Sequence, residues 1–265
     1  MYSTFQLAAK YLRFYVGASN SKGHGVHSPF VFDFIQYVLN DDRVFYAYRQ
    51  IENLRQLLKA DQRVLEIKVG GDTSGASTSG FRKIADIASS SVGSAKYGQL
   101  LFRITDKYGP SEILEIGTSL GITTGYLAMA NPNTSVTTIE EAGSLAKIAS
   151  ANFQKLGIRN VRLLEGDINQ QLSGWLAQGR NIDLALVNGL QVGKSVIRYY
   201  RSIRNNIHEK SILVFDGIHT GTDMEEVWKE IQQDQAVTLS IDLFGMGLVF
   251  FRKEFRVQQH ISIRF

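Results

Sequence analysis

The sequence predicts an α/β fold: a seven-stranded, mostly parallel sheet with helices on both faces, a C-terminal antiparallel hairpin and an N-terminal helical extension. Three observations predict it. Between residues 112 and 234, five short apolar runs alternate with five helical patterns, as expected for parallel strands joined by crossover helices. Two further strand patterns, 237–244 and 247–253, are separated only by Gly245 and Met246, a link short enough to demand a hairpin. The first 60 residues carry helical periodicity instead.

The elements follow in order. Residues 3–16 place Phe5, Ala8, Ala9, Leu12 and Tyr15 at helical spacing, and 17–25 (GASNSKGHG) reads as a loop. A second helix, 28–39, opens on Ser28-Pro29, a cap and first-turn pair. Residues 44–59 read as a third helix. From Val64 the chain begins like a strand and passes into Gly, Ser and Thr, so 70–80 is expected to be a flexible loop with Asp72 as its only charge. Helical patterns resume at 82–92 and 94–108, the latter stopped by Pro110. The expected organisation is a helical extension or lid over 1–60, a loop-rich connector over 61–94 and a ligand-binding domain over 95–265. Within that domain strands are expected at 112–117, 135–140, 161–167, 182–188 and 211–217. They alternate with helices at 121–130, 143–156, 169–178, 193–206 and 222–234, the last opened by Thr222 and Glu225 as a capping box.

Composition narrows the function. With 265 residues, 44% apolar and 20% charged, the chain can bury one sizeable core. The net charge of +4 comes from scattered basic residues; the densest group, Arg198, Arg201 and Arg204, lies one turn apart on one helix face. That is too narrow for a nucleic-acid footprint, so no nucleic-acid partner is expected. There is no cysteine, which excludes disulfides, thiolate metal sites and a thiol nucleophile. No apolar run reaches 18 residues and Lys10 and Arg13 interrupt the N-terminal pattern, so neither a membrane span nor a signal peptide is expected and the location is read as cytoplasmic. The aromatic-rich first helices (Phe5, Tyr11, Phe14, Tyr15, Phe30, Phe32, Phe34) leave two readings, burial within the chain and a homodimer; the first is preferred.

Ligands of open parallel sheets bind at the carboxyl ends of the strands. Here those ends read Glu115-Ile-Gly117-Thr118-Ser119-Leu-Gly121, Glu140-Glu141, Glu165-Gly166-Asp167, Val187-Asn188-Gly189 and Asp216-Gly217-Ile218-His219. Gly117 and Gly121 allow close approach to the backbone, and the helix start beyond them offers unpaired N–H groups. Glu140, 23 residues past Gly117, is placed to accept both hydroxyls of a ribose. Asp167 is at reach of a purine edge.

Glu-Ile-Gly-Thr-Ser-Leu-Gly, followed by Thr-Ile-Glu, Glu-Gly-Asp and the terminal hairpin, resembles the class I S-adenosylmethionine-dependent methyltransferases, whose sheet is Rossmann-like. The likeness spans about 95–253 and is greatest to the catechol O-methyltransferase-like small-molecule branch; SKGHGVHSPFVFDFI and LFGMGLVFFRK resemble a Bacteroidetes-type subgroup. The resemblance implies S-adenosyl-L-methionine as cofactor and a small-molecule acceptor, methylated at oxygen. Gly117, Thr118 and Gly121 would line the methionine part, Ser119 and Thr123 would bind its carboxylate, Glu140 the ribose and Gly166 and Asp167 the adenine. Glu115 and Asn188, at the ends of the first and fourth strands, are counted with this cofactor set.

The catalytic side departs from the family. Metal-dependent relatives carry an aspartate after strand four and an acidic pair after strand five; here those positions are Asn188 and Asp216-Gly217, and the following lysine is replaced by Gln191. One carboxylate holds Mg²⁺ poorly, so no tightly bound metal is expected. Asp216 and His219 are the catalytic candidates, His219 as a base. His24 and His27 lie in a loop that could act as a lid. The alternative is a catalytically impaired cofactor-binding or interaction protein on the same fold; a nicotinamide-type oxidoreductase is disfavoured by the G-x-x-x-G spacing.

Overall fold

A computed structural model describes residues 1–19, 28–69, 78–90, 94–188 and 193–265. The expectations for His24, His27, Asp72, Gly189 and Gln191 fall outside the described residues. The chain forms two compact units, one made of residues 43–180 and the other of 1–42 together with 181–265.

The contiguous unit opens with α3 (Tyr46–Ala60), here numbered after the two helices of the other unit, α1 (Thr4–Gly17) and α2 (Pro29–Phe34). A two-stranded antiparallel ribbon follows, β1 (Val64–Val69) with β2 (Thr78–Lys83). The strand at 78–83 replaces the loop and helix start expected there. Residues 79–83 are exposed on both faces, so no alternation of apolar and polar residues announces it. Then come α4 (Ile84–Ser90) and α5 (Ala95–Tyr108), which ends on Gly109 with φ 55°, the left-handed stop that glycine favours.

The strand–helix alternation then begins: β3 (Glu112–Ile116), α6 (Ile122–Ala130), β4 (Ser135–Glu140), α7 (Gly143–Lys155), β5 (Val161–Glu165) and α8 (Ile168–Leu176). β3, β4 and β5 are parallel neighbours in that order. Their carboxyl ends therefore share one edge. Ile51 and Leu54 of α3, Phe102 of α5 and Tyr126 of α6 lie in one buried cluster with Leu120 and Ile122. Its apolar burial is the main stabilising term of this unit.

In the other unit α2 runs directly into a π-helical turn, Ile35–Leu39. β6 (Ile182–Val187), α9 (Gly193–Ile203), β7 (Ile207–Asp216), α10 (Thr222–Gln233), β8 (Leu239–Asp242), β9 (Met246–Phe250) and β10 (Gln259–Ser262) complete it. β6 and β7 are parallel; β9 pairs antiparallel with both β7 and β8, which confirms the hairpin. β10 then adds in parallel to β8, so the sheet strands number eight rather than seven. β10 is held by a bridge to the N-terminal segment, Ser19 N–H donating to Ser262 O at 2.8 Å. Four residues with a charged neighbourhood carry no readable period, which is why the sequence does not reveal it.

Two further expectations change. β7 begins at Ile207, not 211, because His208, Glu209 and Lys210 are strand residues; His208 Nε2 lies 2.8 Å from Asp183 Oδ1 on β6. α10 has no capping box: its cap is Gly221, without a side-chain bond, and Glu225 turns instead to Lys10, Tyr2 and His219. The basic stripe on α9 and the 3-10 turn after it, Arg204–Asn206, is a solvated face crossed by ion pairs, Arg201 with Glu230 at 2.5 Å and Arg204 with Asp234 at 2.6 Å.

Gly247 shows how tightly β9 packs on α10. A Cβ there would stand 2.7 Å from the Trp228 ring. Gly247→Val is expected to lower stability by about 1–3 kcal/mol through overpacking, seen as an earlier denaturant midpoint at unchanged slope. An unshifted midpoint would refute this packing.

Candidate active site

The edge where β3, β4 and β5 end is organised by the crest between β3 and α6. Within five residues the backbone turns left-handed three times, at Gly117 (φ 96°), Ser119 (φ 51°) and Gly121 (φ 78°). Glycine takes such angles without cost, whereas Ser119 must be held there. The end of β4 does the holding. Ile139 O accepts from Gly117 N–H at 3.0 Å and Thr118 N–H at 3.3 Å, and Glu140 Oε2 accepts from Ser119 N–H at 2.7 Å.

The crest delivers the chain into α6 without a side-chain cap. The first-turn amides of Ile122, Thr123 and Thr124 thus form the positive end of a nine-residue helix, a donor set suited to an anionic group. Thr123 is buried beside them. Gly121 has a second reason to be glycine: a Cβ would meet the Phe153 ring at 2.6 Å and Ala149 Cβ at 3.2 Å. Its missing side chain makes room for α7, and what it can offer a ligand is backbone.

Glu115 is placed beneath this crest and is fully buried. Its Oε2 accepts from Thr124 Oγ1 at 2.5 Å and Thr138 Oγ1 at 2.7 Å, and Thr138 Oγ1 lies 2.6 Å from Thr118 Oγ1. Since Thr138 spends its proton on Glu115, Thr118 donates to Thr138. The carboxylate therefore ties β3, β4, the crest and the first turn of α6 together. Through Oε2, Glu115 thus holds the crest in position. Thr138 was not among the sequence candidates; its hydroxyl is one of two in a strand pattern, and nothing local distinguishes it from a surface threonine.

Glu140 closes the edge. Its Oε1 accepts from Ala142 N–H at 3.0 Å, so each oxygen holds one amide and keeps lone pairs for a diol. Burial pushes its pKa up, while the Ala142 and Ser119 amides pull it down; the net direction is upward. Gly166 (φ 129°) donates its N–H to Glu140 O at 3.0 Å, which brings the β5 end alongside. Asp167 caps α8, accepting from Gln170 N–H at 2.9 Å. Gly117, Thr118, Ser119, Gly121, Thr123, Glu140, Gly166 and Asp167 thus share the edge that the sequence predicts for them.

The remaining candidates lie in the other unit. Asn188 follows β6 and is buried. Asp216 ends β7 opposite Met246 of β9. Burial pushes its carboxyl up to about 6, against the opposing pull of the Gly217 amide. Gly217 (φ 71°) donates to Gly245 O at 2.8 Å and turns the chain toward His219.

His219 does not fit the role of base. Its Nδ1 lies 3.0 Å from Glu225 Oε1 and its Nε2 2.8 Å from Asp242 Oδ2. Two carboxylates require two N–H donors, so the ring is an imidazolium with no lone pair to accept a proton. Burial opposes that charge, but the bonds to Asp242 and Glu225 outweigh it and raise the pKa above the ordinary value. Glu225 also accepts from Lys10 Nζ at 2.9 Å and Tyr2 Oη at 2.9 Å. Burial alone would raise its pKa, yet these donors together hold it low. The cluster anchors α1: Tyr2 N–H donates to Thr220 O at 2.8 Å, and Tyr11 and Phe14 pack on Phe244 with ring centroids 5.0 and 5.4 Å apart. Sequence reasoning missed Lys10, Glu225 and Asp242 because they meet only in three dimensions.

A family model described as a methyltransferase domain matches residues 114–218. This stretch of the chain, from β3 to the turn after β7, is thus similar to a methyltransferase domain. Over 97 residues it is 30% identical to the release factor glutamine methyltransferase of Bacillus subtilis (strain 168), a match over 34% of this chain and 32% of that one. The chain thus spans about a third of the length of that curated relative. Among solved structures it is similar to the SAM complex of the O-methyltransferase TomG from Streptomyces achromogenes (TM-score 0.54, 20% identity, covering 61% of this chain and 82% of that one). It is also similar to the SAH complex of an O-methyltransferase from Bacillus cereus (TM-score 0.57, 15% identity, 81% and 96%). A third likeness is to the SAH-bound Podospora anserina methyltransferase PaMTH1 (TM-score 0.59, 13% identity, 85% and 97%). At these identities the methyltransferase likeness is one of fold. Among the described residues no helix is long and apolar enough to cross a membrane.

Proposed function

We propose that this protein transfers the methyl group of S-adenosylmethionine to the oxygen of a small-molecule acceptor, without a tightly bound metal. The observation that carries the reading is the crest itself: an uncapped helix start beside a buried carboxylate that already grips Ser119 N–H at 2.7 Å. The donor set fits the cofactor. The α6 amides and the Thr123 hydroxyl would receive its carboxylate, Glu140 its ribose hydroxyls, and Gly166 and Asp167 would border its adenine. When bound, the sulfonium supplies an electrophilic methyl group. The protein's share is then to align the acceptor and to take its proton. Asp216 is proposed for the proton, because a carboxyl raised to about 6 holds one more readily near neutral pH than an ordinary aspartate does.

Calorimetric titration with S-adenosylhomocysteine tests the cofactor assignment. Glu140→Gln keeps the volume but loses the charge that accepts hydroxyls, and is expected to weaken binding at least about tenfold. Parental affinity in a variant with unchanged melting would remove Glu140 from the site. Transfer of a labelled methyl group to a panel of phenols, acids and amines tests the chemistry. A second reading, a cofactor-binding protein without catalysis, is favoured by the engagement of both His219 nitrogens. Tight cofactor binding with no transfer to any member of the panel would select it.

A further inference from the structure

We infer that the outward face of α1 is the contact through which two copies of this chain associate, as an antiparallel helix pair. This stands apart from the proposed chemistry. Helix α1 contains no buried residue. Its inner side is Lys10 on Glu225 and Tyr11 and Phe14 on Phe244. The opposite side carries Phe5, Ala9, Leu12 and Val16, of which Phe5 is 83%, Leu12 65% and Val16 74% exposed. A surface helix normally buries its apolar stripe and shows its polar one; here both sides are apolar in part and one has no cover among the described residues.

The occupant follows from the pattern. Positions 5, 9, 12 and 16 repeat with steps of four, three and four, the spacing of a seam between two helices. Run antiparallel about a two-fold axis between positions 10 and 11, the seam is complementary to itself. Phe5 meets the second copy's Val16, and Ala9 meets the second copy's Leu12, so large and small side chains alternate. Helix α1 has two cations and no acid. Lys10 is already neutralised by Glu225. The antiparallel arrangement places each Arg13 beside the second copy's Gln6 and keeps the two arginines apart, whereas a parallel pair would put like residues together. A lipid surface is a poorer match, since interfacial helices carry several Lys or Arg along a free polar face, and here Lys10 is engaged with the chain's own Glu225, which leaves Arg13 as the second cation of the helix. A seam of fourteen residues is short for a permanent interface, so association is expected to depend on concentration.

Sedimentation of the full chain across the micromolar range tests this. The mass is expected to rise from 29.6 kDa toward twice that value, and Leu12→Glu is expected to stay at 29.6 kDa throughout with unchanged melting at low concentration. Because the chain has no cysteine, orientation is read by oxidising a mixture of Ala9→Cys and Leu12→Cys chains. The mixed disulfide should dominate, and a predominance of like-with-like pairs would overturn the antiparallel geometry. A parent that stays monomeric at the highest concentration overturns the proposal, as does a dimer that Leu12→Glu leaves intact. So does a monomeric parent that binds vesicles of phosphatidylglycerol and phosphatidylcholine through Leu12.

Discussion

Asp216→Asn is expected to raise the melting temperature at pH 8, to leave it nearly unchanged at pH 4 and to remove most methyl transfer. Burial raises this carboxyl from 3.8 to about 6. A carboxyl raised on folding favours the folded state below its unfolded pKa and loses that contribution as pH climbs through the folded one. Above pH 6 the protein therefore carries an ionised group that the unfolded chain solvates better. The gap of about two units sets a ceiling near 3 kcal/mol, and the partial exposure of the residue brings the expectation to about 2 kcal/mol, or roughly 5 °C. Asparagine keeps the shape and removes the charge. Calorimetry at the two pH values, beside a labelled-transfer assay, checks both halves. A stability change equal at pH 4 and pH 8 would deny the buried charge, and full activity would deny its use in catalysis. A residue that costs stability at a strand end is a sign of function.

His219→Gln is expected to destabilise the protein by about 2–3 kcal/mol at pH 6, and by less at alkaline pH. The imidazolium holds Glu225 and Asp242 apart and satisfied. Its raised pKa means that this contribution is complete below the unfolded value and fades as pH rises through the folded one. Glu225, held low by Lys10, His219 and Tyr2 against the effect of burial, has the opposite sense: its share is present above its ordinary value and fades as pH falls. The anchor of α1 is thus strongest between the ordinary carboxylate and imidazole ranges. Denaturant melts of parent and variant at pH 6 and pH 9 measure the difference. Equal losses at both would mean that the ring acts by packing against Phe244 alone, where the two rings are stacked at 5.2 Å.

The reach of the sequence follows its periodicities. β3 to β7 are runs of five to ten residues rich in apolar or β-branched side chains, and each is separated from the next by a helix; this alternation is local and therefore readable. β2 and β10 stand outside that alternation, and their place depends on β1 and β8. Glu140 is readable because its distance from the glycine turn reflects one strand–helix–strand unit. The left-handed turn at Gly121 is readable too, but not the Phe153 ring that fills the space beside it. His219 illustrates the limit. Its position at a strand end suggested a base, whereas its chemistry is decided by Glu225, Asp242 and Lys10, which only the folded chain assembles.

The division of the chain also bears on how it is made. Residues 43–180 are continuous and hold their own core, so they are free to fold while synthesis proceeds. The first 42 residues belong with 181–265, and helix α1 finds Glu225 and Phe244 only after both have been synthesised. Until then its apolar stripe has no anchor and stands open to chaperones and to other nascent chains. Ribosome-bound chains arrested beyond residue 180 are accordingly expected to resist protease over 43–180 and to be cut within the first 42.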